Sequence, residues 1–221
     1  LILEQNQLTG EIVPEIENLT NLTNLWLGMN QLTGEIPAEL WNLTNMTHLV
    51  INNNQLIGSI PLDIGSLTNL IILSLSNNLF IGEIPSEIGN LTNLTYLSLN
   101  TNNLEGEIPS EIGNLIHLES LQIGYNGFTG LIPPDIGNLV YLTFLSLRSN
   151  NLTKEIPSEI GNLINLTHLD LAYNQLTGLI PDEICNQGDS APHLSGNKLC
   201  PPYPSCLSEY SIGNQEISNC D

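Results

Sequence analysis

Asparagine recurs every 24 residues, at Asn6, Asn30, Asn54, Asn78, Asn102, Asn126, Asn150 and Asn174. A spacing kept through eight turns, with Leu or its analogues in fixed phase around each Asn, specifies a solenoid in which repeats bury their apolar faces against neighbours. The phase is complete in Leu94, Leu97, Leu99, Asn102, Leu104, Gly106, Ile108, Pro109, Ile112, Gly113 and Leu115, and steps of 24 reproduce it in both directions. Alternation around Leu97 and Leu99 predicts a short strand with one buried side. Stacked in parallel at about 4.8 Å, eight such strands would make a sheet roughly 38 Å long. Asn belongs where the chain leaves the strand, because its amide both donates to and accepts from backbone groups that a turn leaves unpaired. The Ile-Pro step favours extended backbone. Ser110 to Leu115 is too short for a stable α-helix and is expected as a 3₁₀ turn or brief helical coil.

The pattern L-x-x-L-x-L-x-x-N-x-L-x-G-x-I-P resembles the plant-type leucine-rich repeat, the class found in receptor-kinase ectodomains and polygalacturonase-inhibiting proteins. The resemblance implies an α/β solenoid: a right-handed superhelix with a parallel concave β-sheet, a second short strand at Gly-x-Ile-Pro, short 3₁₀ or helical convex segments and a disulfide-bearing C-terminal cap. Departures are Val13 in place of Pro, Lys154 in place of Gly and Met46 in place of Leu. On this reading residues 1–184 form eight 24-residue repeats, the first truncated and without an N-terminal cap, and 185–221 form the C-terminal capping segment. An open first turn would expose Leu1, Leu3 and Leu8, so a capping segment or partner is expected upstream. The sequence has no 18-residue apolar run and no visible secretory signal.

All four cysteines, Cys185, Cys200, Cys206 and Cys220, lie in the last segment. Two disulfides are expected there, with three connectivities open. A four-thiolate zinc site is the alternative, but the spacings lack Cys-x-x-Cys knuckles. Disulfides point to an oxidising compartment, extracellular or periplasmic.

The chain carries 23 acidic residues against three Lys and Arg, for a net charge of −20. One unbroken column is Glu15, Glu39, Asp63, Glu87, Glu111, Asp135, Glu159 and Glu183; a second is Glu11, Glu35, Glu83, Glu107 and Glu155, interrupted by Ser59, Leu131 and Leu179. Such columns keep a long solenoid soluble, and paired carboxylates also offer hard oxygen ligands for Ca²⁺. No other cofactor and no metal site is expected. The charge disfavours nucleic acid and anionic lipid.

Recognition in a solenoid falls on the positions that do not repeat. On the face expected to be concave these include Trp26, His48, Tyr96, Gln122, Tyr125, Phe144, Arg148, His168, Asp170 and Tyr173. Aromatic side chains among Asn, Ser and Gln suit a protein, peptide or glycan ligand; scattered aromatics also serve cross-strand packing alone. A second reading is ice binding through Thr columns such as Thr20, Thr44, Thr68 and Thr92, which elsewhere drift to Ile, Val or Glu. No enzyme is expected. His48, His117, His168 and His193 are dispersed, and a His168–Asp170 couple would have no nucleophile or phosphate loop beside it. Sequons at Asn18, Asn21, Asn42, Asn45, Asn90, Asn93, Asn151 and Asn165 arise largely from the Asn-Leu-Thr repeat itself. The sequence leaves the oligomeric state open.

Overall fold

A computed structural model describes residues 1–218 and 220, and it is a solenoid. Seven three-residue strands form its continuous sheet: β1 (Asn24–Trp26), β2 (His48–Val50), β3 (Ile72–Ser74), β4 (Tyr96–Ser98), β5 (Ser120–Gln122), β6 (Phe144–Ser146) and β7 (His168–Asp170). Neighbours are parallel and pair residue i with i+24 throughout, as Leu97 with Leu121 and Leu121 with Leu145. The 24-residue sequence period is therefore the hydrogen-bonding register itself. Single bridges extend the sheet at both ends, from Ile2 to Trp26 and from Asp170 to His193.

Leaving the sheet, the chain forms short secondary strands beside the Asn column. Thr9–Gly10, Gln31–Glu35 and Gln55–Ile57 make one set, and Thr177–Leu179 pairs with Lys198–Cys200. Each Pro-started segment then folds into one 3₁₀ turn, such as Ser86–Asn90 and Ser110–Asn114, after an extended Pro with φ near −66°. Five residues cannot complete the nucleus of a stable α-helix, and the tighter turn is what remains.

The core is one unbroken apolar column. Leu25, Leu49, Leu73, Leu97, Leu121, Leu145 and Leu169 are fully buried at the strand centres, with Ile64, Ile88, Ile112, Ile136, Ile160 and Ile184 opposing them from the 3₁₀ turns. Each buried Leu or Ile contributes about 1.5–3 kcal/mol. Leu1, Ile2, Leu3 and Leu8 face solvent at the first turn.

The Asn column holds successive turns together. In the buried Asn78, Nδ2 donates to the carbonyls of Leu75 (3.1 Å), Ser76 (3.3 Å) and Ile51 of the preceding turn (3.1 Å), while Oδ1 accepts from the amide of Leu56 (3.1 Å). Asn54, Asn102, Asn126, Asn150 and Asn174 repeat this set. One amide thus serves four backbone groups that the bend would otherwise strand.

Just before each Asn stands a residue with φ of 54–57°: Gln5, Met29, Asn53, Asn77, Thr101, Tyr125, Ser149 and Tyr173. A run of eight non-glycine residues in this region is unusual. The left-handed bend swings the chain off the sheet and projects Met29, Tyr125 and Tyr173 into solvent.

Acidic placement has a packing reason. A Cβ added at Gly34, Gly106 or Gly178 would meet the stems of Glu11, Glu83 or Glu155 at 2.6–2.7 Å, so each Glu of the interrupted column lies across the glycine of the next turn. Where that column loses its acid at Leu131, the next turn carries Lys154 instead of Gly, with φ of 68°. Among the described residues no group of three His, Cys, Asp or Glu converges as a metal cluster would.

The pairing left open by the sequence is Cys185–Cys206 and Cys200–Cys220. The segment they close continues the solenoid: Asn197 Oδ1 accepts from Leu176, and its Nδ2 donates to Leu171 and Leu194. Gln215 then makes the same kind of set, accepting from Leu199 and donating to Leu194 and Ile212.

Candidate functional site

Four columns face the concave side, starting at Asn24, Trp26, Gly28 and Met29 and advancing by one strand per turn. Of the acidic residues, only Glu4 and Asp170 fall in these columns. The concave face of a strongly anionic protein is therefore almost free of carboxylate, and its charge lies on the turns.

The ten residues singled out in the sequence do not form one site. Near the first strands, Trp26 stacks on His48 with ring centroids 6.1 Å apart, and Thr47 Oγ1 lies 2.8 Å from His48 Nδ1. At mid-sheet, Gln122 Oε1 accepts from Asn100 (3.2 Å) and its Nε2 donates to Ser120 (3.0 Å). Tyr96, half-buried, lies one strand away from them on β4.

Phe144, Arg148, His168, Asp170, Tyr173 and Tyr125 gather on the last three turns. Phe144 and His168 are register partners, and their rings stack at 4.3 Å with planes 23° apart. Arg148 Nη1 donates to Asp170 Oδ2 at 3.2 Å, and the guanidinium carbon sits 4.5 Å from the centroid of the Tyr173 ring. Asp170 is buried, and its other oxygen accepts from the Ala172 amide at 3.0 Å. Burial works against the Arg148 charge, but Asp170, with help from Tyr125, outweighs it and raises the Arg148 pKa above its ordinary value. The guanidinium is thus fixed as a permanent cation with one planar face on an aromatic ring.

The His168–Asp170 couple does not form, because His168 is turned to Phe144 and Asp170 to Arg148 and Ala172. Two side-chain atoms in this region are buried without a hydrogen-bond partner: Arg148 Nε and Asn100 Oδ1. Both are side chains of the column that starts at Gly28.

Two further residues join this group without having been singled out for the concave face. His193 lies 5.7 Å from His168, and Tyr210 lies 5.7 Å from His193, so the Phe144–His168 pair continues into the cap. The repeat shortens to 23 residues here, with Asp170 pairing with His193, and this breaks the period by which columns are read.

All eight sequon asparagines are exposed, and three of them, Asn45, Asn93 and Asn165, also donate their amides to carbonyls of the preceding turn.

Family profiles described as Leucine Rich repeats (2 copies) and Leucine Rich Repeat match residues 20–64 and residues 69–91, 93–115, 117–139, 141–163 and 165–187. Among solved structures, the chain is similar to the plant peptide hormone receptor RGFR1 in complex with RGF2, at 39% identity and a TM-score of 0.86, over 88% of this chain and 31% of that one. It is similar to the ectodomain of the membrane receptor kinase GASSHO1/SCHENGEN3 from Arabidopsis thaliana in complex with CASPARIAN STRIP INTEGRITY FACTOR 2, at 40% identity and 0.86, over 90% and 24%. A plant ice-binding protein matches at 27% identity and 0.75, over 99% of this chain and 84% of that one. The chain spans about a third or less of the two receptor structures. Comparison of the sequence with curated proteins finds no match. The register, the Asn column, the 3₁₀ turns and these matches agree: the chain belongs to the leucine-rich-repeat family, in its plant-type class.

Proposed function

We propose that this chain is an extracellular recognition module, without enzymatic activity, that binds an extended peptide on the concave face of its C-terminal turns. The observation that carries the reading is the Phe144–His168 and Arg148–Asp170–Tyr173 cluster on a face that the acidic residues avoid. A fixed cation and large side chains over a polar floor of Ser98, Ser146 and Asn100 provide anchors with adaptable hydrogen bonding. A peptide fits better than a glycan here. Phe144 and Tyr173 already use ring faces on His168 and Arg148, the faces that a sugar ring would need for stacking. One similar structure is named as a plant peptide hormone receptor, in complex with RGF2, which supports the same class of ligand. The two disulfides accord with an extracellular location.

The test is to pan a displayed library of random 12-residue peptides against the intact chain, then measure enriched peptides on variants. Phe144→Ala is expected to weaken them tenfold or more. Enriched peptides indifferent to Phe144→Ala, Tyr173→Ala and Tyr125→Ala would refute the reading.

Ice binding is the second reading, favoured by the near-full-length match to a plant ice-binding protein. Its surface would be the exposed column Thr20, Thr44, Thr68 and Thr92, continued by Ile116, Val140 and Ile164. The drift from hydroxyl to aliphatic makes this the weaker case, and thermal hysteresis measured on the chain alone distinguishes the two.

A further inference from the structure

We infer that the recognition site extends beyond the last repeat: His193 and Tyr210 of the cap form its C-terminal wall, against which an extended peptide places an aromatic or long aliphatic side chain. This rests on the concave-face reading above.

The shortened repeat sets the geometry. His193 is held in the sheet by its own amide to Leu169 O and by Leu171 N to its carbonyl, both at 2.8 Å. That register sets His193 opposite Asp170, and its ring reaches diagonally to within 5.7 Å of His168. Interplanar angles along Phe144, His168, His193 and Tyr210 run 23°, 57° and 87°, so the rings turn from face-on stacking to an edge contact. The run of rings ends at Tyr210, perpendicular to His193.

Tyr210 is 74% exposed. Its one aromatic partner among the described residues is His193, met at 87°, and most of its surface is open to solvent. It is nonetheless rigidly mounted. The short helix α1 (Glu209–Ile212) that carries it is capped by Ser208 Oγ accepting from the Ser211 amide, and Leu194 N donates to Ser211 O at 2.9 Å. Cys206, in the Cys185–Cys206 disulfide, anchors the chain just before α1. An exposed aromatic on a preorganised support binds without loss of much side-chain freedom.

The chemistry selects the occupant. The nearest concave carboxylate, Asp170, is committed to Arg148 and Ala172, and the exposed Glu209 beside Tyr210 disfavours an acidic occupant. The imidazole of His193 and the exposed phenol of Tyr210 accept another aromatic or a long aliphatic group. From the turn of Asn100 to α1 the path crosses five strand spacings, about 24 Å, which an extended peptide covers with roughly seven residues.

The probe is the set of library peptides enriched on the intact chain, read by fluorescence polarisation. Tyr210→Ala is expected to weaken them about tenfold and His193→Gln severalfold, with Trp26→Ala unchanged and Tyr210→Leu keeping part of the affinity. An unchanged melting curve for Tyr210→Ala separates a lost contact from a lost cap, and the Leu variant keeps this distinction if the Ala variant melts early. Peptides that lose tenfold with Phe144→Ala but bind Tyr210→Ala and His193→Gln as well as wild type overturn the cap wall and leave the concave reading intact. Peptides indifferent to Phe144→Ala, Tyr173→Ala and Tyr125→Ala as well, or a library that yields no binder, overturn the concave reading itself.

Discussion

Arg148 reaches one strand forward to Asp170 while lying over the ring of Tyr173, so a single guanidinium ties the floor of the concave face to its rim. Its charge opposes the one buried carboxylate there. The Arg148 side chain is 27% exposed, so the pair is partly screened, and Arg148→Ala is expected to destabilise by about 1–2 kcal/mol, between surface and buried limits. Lysine, a point charge without a planar face, should restore less than half. Urea denaturation of both variants measures this. The raised pKa of Arg148 means its favourable term is present at every pH below the unfolded value and is lost only in strong alkali, so this guanidinium adds no pH dependence near neutrality.

Asn78→Ala removes hydrogen bonds to four backbone groups in a buried site. A loss of about 3 kcal/mol or more is expected. Asn78→Asp keeps the acceptor but cannot donate to the three carbonyls, so it should be at least as harmful. At the exposed first turn, Asn6→Ala removes two bonds and should cost under about 1 kcal/mol. Equal effects at the two positions would show that the bonds to neighbouring turns contribute nothing.

Thr101 is the β-branched member of the left-handed column, at φ 55°, where Asn53 and Asn77 occupy the same place without that crowding. Thr101→Asn or Thr101→Gly should stabilise by about 1 kcal/mol. A fall in melting temperature for both would contradict this assignment of strain.

Gly113, Gly137 and Gly161 lie where an added Cβ would stand 2.5–2.6 Å from a backbone carbonyl of the next turn. Gly137→Ala must push two repeats apart and is expected to cost 2 kcal/mol or more, about the effect of an overpacked core. Circular dichroism melting of the three alanine variants would test it, and wild-type stability in all three would be the contrary result.

Carboxylates about 5 Å apart in the Glu15 to Glu183 column repel by roughly 0.8 kcal/mol per neighbouring pair in water before screening. The melting temperature should rise with NaCl, and Glu111→Gln should raise it at low salt while doing little at high salt. Calcium compared with magnesium at matched ionic strength tests the separate proposal of Ca²⁺ on this ladder: a calcium-specific rise would support it, and equal melting would refute it.

Everything that depends on the 24-residue period could be read in advance: strand register, the Asn column, the 3₁₀ turns and the acidic columns. What escaped depends on contact between positions whose sequence relation is irregular. Cys185 and Cys206 pair across a segment with no repeat, so spacing left three connectivities open. His193 and Tyr210 escaped because the cap shortens the repeat and then abandons it. Gln215 stands 18 residues after Asn197, and only the folded chain shows that it does the same work. The aromatic residues were visible as a set, but their division into a Trp26–His48 pair and a Phe144–Tyr210 group is a matter of which strands they occupy.

The asparagine bonds have a direction. Asn78 serves Ile51 and Leu56 of the turn before it, and each later Asn does the same, so every turn leaves polar groups that only its successor can satisfy. The stack is a sentence whose grammar closes from the right. A chain emerging from its N-terminus completes each turn as the next appears, and the last turn needs a closing residue of another kind, which Gln215 supplies. Cutting between Asn197 and Gln215 leaves the Leu194 carbonyl and Leu199 amide without their closing side chain, whereas removing the first turn leaves Asn30 its bonds to Leu27 and Gly28, so the first cut should loosen the stack more.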